Sequence, residues 1–175
     1  MSTTSITRPQ PGEYDPYCER YISLVQSDDV VAALERQFPE TLSLLGSRGA
    51  ARADFRYAPE KWSVKEVVGH LSDAERILSY RALRIARGDK TPIEGFEQDD
   101  YVHTGRFGQR TLADLLAEFG DIRRATLDLF RNLDVEAAAR RGVANQKEIT
   151  ARALAYIIAG HELHHRRILE ARYLR

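Results

Sequence analysis

Residues 62–88, "WSVKEVVGHLSDAERILSYRALRIARG", constrain the fold more than any other stretch. Ser63 with Glu66 three residues on forms a capping box, in which each side chain bonds a free backbone amide of the other, and Gly88 supplies a stop. Between them Val64, Val67, Leu71, Ala74, Leu78 and Ile85 recur at intervals of three, four and seven, the period of a helix buried along one face. Three more segments repeat this pattern. "DDVVAALERQFPETLSLLG" predicts a helix capped by Asp28 or Asp29, closed by Gly46 and bent at Pro39. "TLADLLAEFGDIRRATLDLFRNL" predicts one capped by Thr111, with Leu115, Ile122, Leu129 and Leu133 inward. Thr150 opens the last, with Leu154, Ile157, Ile158, Ile168 and Leu169 inward.

Four amphipathic helices must bury their stripes against one another, so the expectation is an all-α four-helix bundle formed by one domain over residues 1–175. No segment carries the alternating pattern of a strand. Proline and glycine at positions 9, 11, 12 and 16 make residues 1–16 an extended arm. A short helical turn follows, with Tyr17, Tyr21 and Leu24 on its packing side. The connections between long helices exceed tight turns, so the sequence leaves helix order and crossovers open. "GDKTPIEGFEQDDYVHTGRFGQ" reads as a loop containing His103, long enough for a lid that offers Asp99, Asp100 and Tyr101.

The formal net charge is 0, which argues against a dedicated nucleic-acid or anionic-membrane binder and for a small-molecule or protein partner. Cys18 is the single cysteine, so no intramolecular disulfide forms. With no apolar signal core and no run near the ~20 residues of a membrane span, the chain is expected in the cytoplasm.

The last helix carries His161, His164 and His165 where leucine would pack better. At ~100° per residue, His161 and His165 lie ~40° apart on the face of Leu154, Ile158 and Ile168. Burial there favours neutral imidazoles, whose ring nitrogens need partners, and a divalent metal supplies one. His70, at the edge of the second helix's buried stripe, is the third candidate. Three neutral ligands leave coordination positions open and the cation's charge uncompensated. His164 is ~60° from His161 and borders the face, so spacing alone leaves His161 with His164 as another pair. Imidazole accepts zinc, nickel, copper and iron alike. Glu66 can orient His70 or serve the cap, Trp62 reads as a plug at the helix start, and Arg81 falls within the inner stripe, where it can line a pocket or pair with a buried carboxylate, the pairing being the expectation. Arg76, Arg84 and Arg87 read as a solvated face, as do Arg166, Arg167, Arg172 and Arg175.

Two segments, "APEKWSVKEVVGHLSDAERILSYRALRIARGDKTPIEGFEQDDY" and "AYIIAGHELHHRRILEARYL", resemble the DinB/YfiT-like superfamily. The W-S-x-K-E-x-x-x-H and G-H-E-x-H-H motifs together carry the likeness, which covers nearly the whole chain. The resemblance implies a four-helix bundle, often a homodimer, with a divalent metal on three histidines. Those positions fall on His70, His161 and His165, which favours His165 over His164. Thiol-dependent enzymes of the superfamily imply an S-transferase acting on a small molecule, with zinc or nickel and a low-molecular-weight thiol as cosubstrate. The alternatives are a metal-dependent hydrolase and a non-catalytic metal- or ligand-binding bundle.

Overall fold

The computed structural model describes residues 5–175; of the arm expected over 1–16, positions 1–4 lie outside the described residues. The remainder of the arm is irregular up to the turn at Pro16–Cys18 and the short helix α1 (Glu19–Ile22). Four long helices follow: α2 (Val30–Leu44), α3 (Val64–Ala86), α5 (Leu112–Arg131) and α7 (Ala151–Ile168), with the shorter α4 (Gln98–Gly105) and α6 (Val135–Ala139) between them.

The caps form as their sequences require. Asp29 accepts from the amides of Val31 and Ala32, Thr111 from Asp114 and Thr150 from Ala153, and both halves of the Ser63–Glu66 box are closed. Gly88 takes a φ of +83°, a left-handed conformation that a side chain would oppose, just beyond the end of α3. Gly46 does not stop α2: the chain continues through a π turn at Leu45–Gly49 and a 3-10 turn at Ala50–Arg52. Pro39 lies inside α2.

α3 packs against α5 and α7, and α2 packs against the same two, so α2 and α3 stand diagonally across the bundle. Two apolar clusters fix the directions. One gathers Val30 and Leu34, Ile85, Phe130, and Leu154 to Ile158; the other gathers Leu45, Val64 to Val68, Leu112, Leu115 and Leu169. α2 and α7 therefore run from the first cluster to the second, and α3 and α5 run back. One connection, residues 87–111, must return along the whole bundle between two parallel helices, and it contains α4. Between the clusters lies a buried polar layer with members from all four helices: Gln37, His70 and Glu75, Arg123, His161 and Glu162.

Three expectations need correction. Strands β1 (Arg141–Ala144) and β2 (Lys147–Thr150) form an antiparallel hairpin within the segment read as strandless, turned by Asn145 and Gln146 at φ +50° and +63°. Each strand has only four residues, too few for alternation to register, and Ile93 of the long connection braces Ala144 through a parallel bridge. His103 belongs to α4 rather than to a loop. In the N-terminal turn the core takes Ile22 and Val25, while Tyr17 is 61% exposed. No helix of the described residues is long and apolar enough to cross a membrane.

Candidate metal centre

His70 lies two turns into α3 and His161 and His165 in the second half of α7, the helix pair with the most extensive mutual packing. The three imidazoles meet between the helices. The His161 Nε2 stands 3.0 Å from Nε2 of His70 and 3.2 Å from Nε2 of His165, and one ring nitrogen from each of the three lies within 4.8 Å of the others. Ring centroids are 4.9, 4.9 and 4.6 Å apart, nearly an equilateral triangle. Three nitrogens about 2.1 Å from one divalent cation stand about 3.0 Å apart in octahedral geometry and about 3.4 Å in tetrahedral geometry. The two separations from His161 fall in that range, and the donor set is the one zinc and nickel accept.

Burial keeps these rings neutral. It pushes His70 down to about 4, and with repulsion from His70 pushes His165 down to about 3; His161 is held well below the ordinary value, first by burial and then by its two neighbours. Each can thus present a lone pair at neutral pH.

Aromatic rings close the sides. Trp62 lies 4.7 Å from His70 and stacks at 6.4 Å over His165, its backbone carbonyl held by the Tyr173 hydroxyl at 2.7 Å. Tyr21 of α1 meets His161 and His164 edge-on, each at 5.5 Å. His164 therefore packs on Tyr21, outside the triangle. α1 can come so close because α7 has Gly160 there: a Cβ would collide with the Tyr21 carbonyl. The sequence marked Trp62 as a plug and Tyr21 as packing, and neither as a wall of the site; what separates the readings is tertiary placement.

Glu66 does not reach His70. One oxygen accepts from the Ser63 amide at 2.6 Å and the other from Arg56 at 2.8 Å, and these bonds outweigh burial to lower its pKa. The same level of the bundle holds an ion cluster that the sequence did not reveal. Arg123 of α5 is fully buried, donates from Nε and Nη2 to both Glu75 oxygens at 2.8 and 2.7 Å, and lies 2.9 Å from Glu162. Gln37 of α2 donates to Glu162 and to the Ala159 carbonyl, which ties the cluster to α7 beside His161. Burial disfavours the guanidinium's charge, but the two carboxylates overcome that and raise its pKa.

A cleft of about 310 Å³ opens onto His165, lined among others by Tyr57, Lys61, Trp62 and Asp99. Gln98 and Asp99 reach it from α4, so the connection read as a lid does border the site, while Asp100 and Tyr101 are exposed. A second groove shares Tyr57 and Ile168 with the cleft and is bordered by Arg20, Arg167 and Arg172.

The DinB superfamily profile matches residues 33–169, which include all three histidines. The chain belongs to the DinB superfamily. Among solved structures it is similar to YfiT from Bacillus subtilis, described as a probable metal-dependent hydrolase with an unusual four-helix bundle topology, at 17% identity and a TM-score of 0.66, over 90% of this chain and 86% of that one. It is also similar to the DinB-like protein YjoA from Bacillus subtilis, at 20% identity and a TM-score of 0.58, over 81% of this chain and 87% of that one. No curated protein matches in sequence. At these identities the likeness establishes the shared fold, that of a DinB-type four-helix bundle.

Proposed function

We propose that His70, His161 and His165 hold a divalent cation, zinc or nickel, and that the chain is a metal-dependent hydrolase of a small molecule. The observation that carries this reading is the triangle of neutral imidazole nitrogens, one of whose members, His165, lines a cleft. Three protein ligands, where structural sites usually close with four, leave room for water or substrate. When bound, such a cation acts as a Lewis acid and lowers the pKa of what joins it. Trp62 and Tyr21 shield the ligands from bulk water and fix their rings. Asp99 and Lys61 provide polar groups along the cleft for orienting a substrate. The description of YfiT lends support to hydrolysis.

A second reading, thiol-dependent S-transfer, gains from the arginine-lined groove beside the cleft. Glutathione and bacillithiol carry carboxylates that Arg20, Arg167 and Arg172 can pair with. Homodimerisation belongs to the same proposal: Tyr80 and Leu83 of α3 are exposed beside an apolar groove against α5 and offer a second copy a face to cover.

Elemental analysis of natively purified protein, followed by assays with and without chelator, tests these readings. Wild type should carry stoichiometric zinc or nickel, and His70→Ala should lose most of it. Full metal content in the His70→Ala protein would eliminate the cross-helix site. With metal retained, cleavage of ester or amide substrates supports hydrolysis. Conjugation of a haloarene with a cellular thiol, together with a sulfur charge-transfer band in the cobalt-substituted protein, would replace hydrolysis with transfer.

A further inference from the structure

A second cavity, of about 290 Å³, lies between the N-terminal turn, the β-hairpin, α3 and α7, and it shares no lining residue with the histidine cleft. Its wall is mostly apolar, with Leu78 of α3 and Leu154 and Ile157 of α7 prominent, and its volume approaches the lower end of small-molecule sites, ~300 Å³. Of the charged residues that line it, Asp15, Arg81, Lys147 and Glu148, only Arg81 is buried. Arg81 is only 8% exposed, and the carboxylate that its inward position led us to expect is not there. Its Nη2 donates to the Glu94 carbonyl at 2.6 Å and its guanidinium lies 5.9 Å from the centre of the Phe96 ring, but the buried Nε has no partner among the described residues. Both contacts are to neutral groups.

A guanidinium stays charged in proteins, and an enclosed charge without a counter-ion is less stable than a paired one. Burial alone accounts for the lowered pKa of Arg81, with no anion opposing it. Contrast Arg123, buried more deeply still, which has two carboxylates. The carboxylates at the cavity rim are engaged elsewhere: Asp15 accepts from the Tyr17 amide and pairs with Lys147, and Glu148 lies 3.8 Å from Arg141. No carboxylate among the described residues neutralises Arg81, and the apolar wall beside it suits an anion that carries a hydrocarbon group.

We propose that this cavity binds a small apolar monocarboxylate, with the Arg81 guanidinium taking the carboxylate and Leu78, Leu154 and Ile157 taking the hydrocarbon. Arg81 reaches an anion in a water-poor setting, where a charge-assisted bond is about twice as strong as a neutral one.

Calorimetric titration of the metal-replete protein with octanoate, phenylpropanoate and the corresponding neutral amides tests this directly. At least one acid should bind at least about tenfold more tightly than its amide, the difference between charged and neutral hydrogen bonds. Arg81→Gln, which keeps a donor for Glu94 but no charge, should erase the preference. Cys18, half-buried in the cavity wall and the only cysteine, reports the location: the bound acid should slow its alkylation by iodoacetamide, and should do so equally in the His165→Ala protein. Equal affinity for acid and amide in wild type overturns the proposal, as does no binding of either acid at millimolar concentration. Binding that leaves Cys18 alkylation unchanged, or that disappears with His165→Ala, moves the ligand to the histidine cleft and overturns it too.

Discussion

Arg123 shows how much one enclosed side chain can hold in place. Its guanidinium is bidentate with Glu75 on α3, lies close to Glu162 on α7 and donates to the Leu34 carbonyl on α2, so all four long helices meet at one group. Replacing it with methionine preserves volume but leaves two carboxylates facing each other without a cation. Arg123→Met should therefore destabilise the fold by about 3–5 kcal/mol, read from urea denaturation; a loss below 1 kcal/mol would mean that the carboxylates take up protons at little cost. The histidines were legible in the sequence because imidazole on an apolar stripe is a conspicuous misfit. Arg123 was not. Helical periodicity gives the side of a helix a residue occupies, not the depth of what it meets, and an arginine among alternating charges reads as solvated until its partners on α3 and α7 are in place. Arg81 fell between these cases: its angle marked it as inward, and only the fold showed that no carboxylate comes to meet it.

Among the elements, α1 depends on a single absent side chain. Its Tyr21 carbonyl lies over Gly160 of α7, and its Tyr21 ring touches His161 and His164. Gly160→Ala favours the helix by up to about 1 kcal/mol intrinsically, but the clash is with backbone, which cannot rotate aside. We expect a net loss of about 1–3 kcal/mol, with α1 displaced and His161 more open to water, measured as a lower melting temperature together with faster amide exchange at Tyr21 and Ile22. An unchanged melting temperature would show that α1 already stands clear of α7. The long helices were readable because caps and stripes are local chemistry. The hairpin was not: its four-residue strands owe their existence to the Asn145–Gln146 turn and to Ile93, some fifty residues away in sequence.

At the scale of the whole molecule, the layer of polar groups makes stability depend on pH. His70 titrates near 4 when folded and near its ordinary 6.5 when unfolded, so between those values the unfolded chain binds more protons. That favours unfolding as pH falls, and stability is lost from about 6.5 downward. For metal-free protein the loss from pH 7 to pH 5 should be about 2 kcal/mol for His70 alone, with His161 and His165 adding to it in the same direction. Urea denaturation of chelator-treated protein at the two pH values checks this; equal free energies would show that these rings meet protons as easily folded as unfolded. Helix order was beyond the sequence, since every stripe is compatible with several neighbours and only the 87–111 connection selects two parallel ones. The layer also divides the interior into two apolar neighbourhoods that barely touch. Substitutions far apart with no shared partners combine almost independently. Val67 and Tyr173, in the cluster at one end, also line the histidine cleft, whereas the cluster at the other end carries the packing of the N-terminal segment. Descendants of this chain can therefore reshape the first end for a new substrate while the second, left untouched, keeps the bundle assembled.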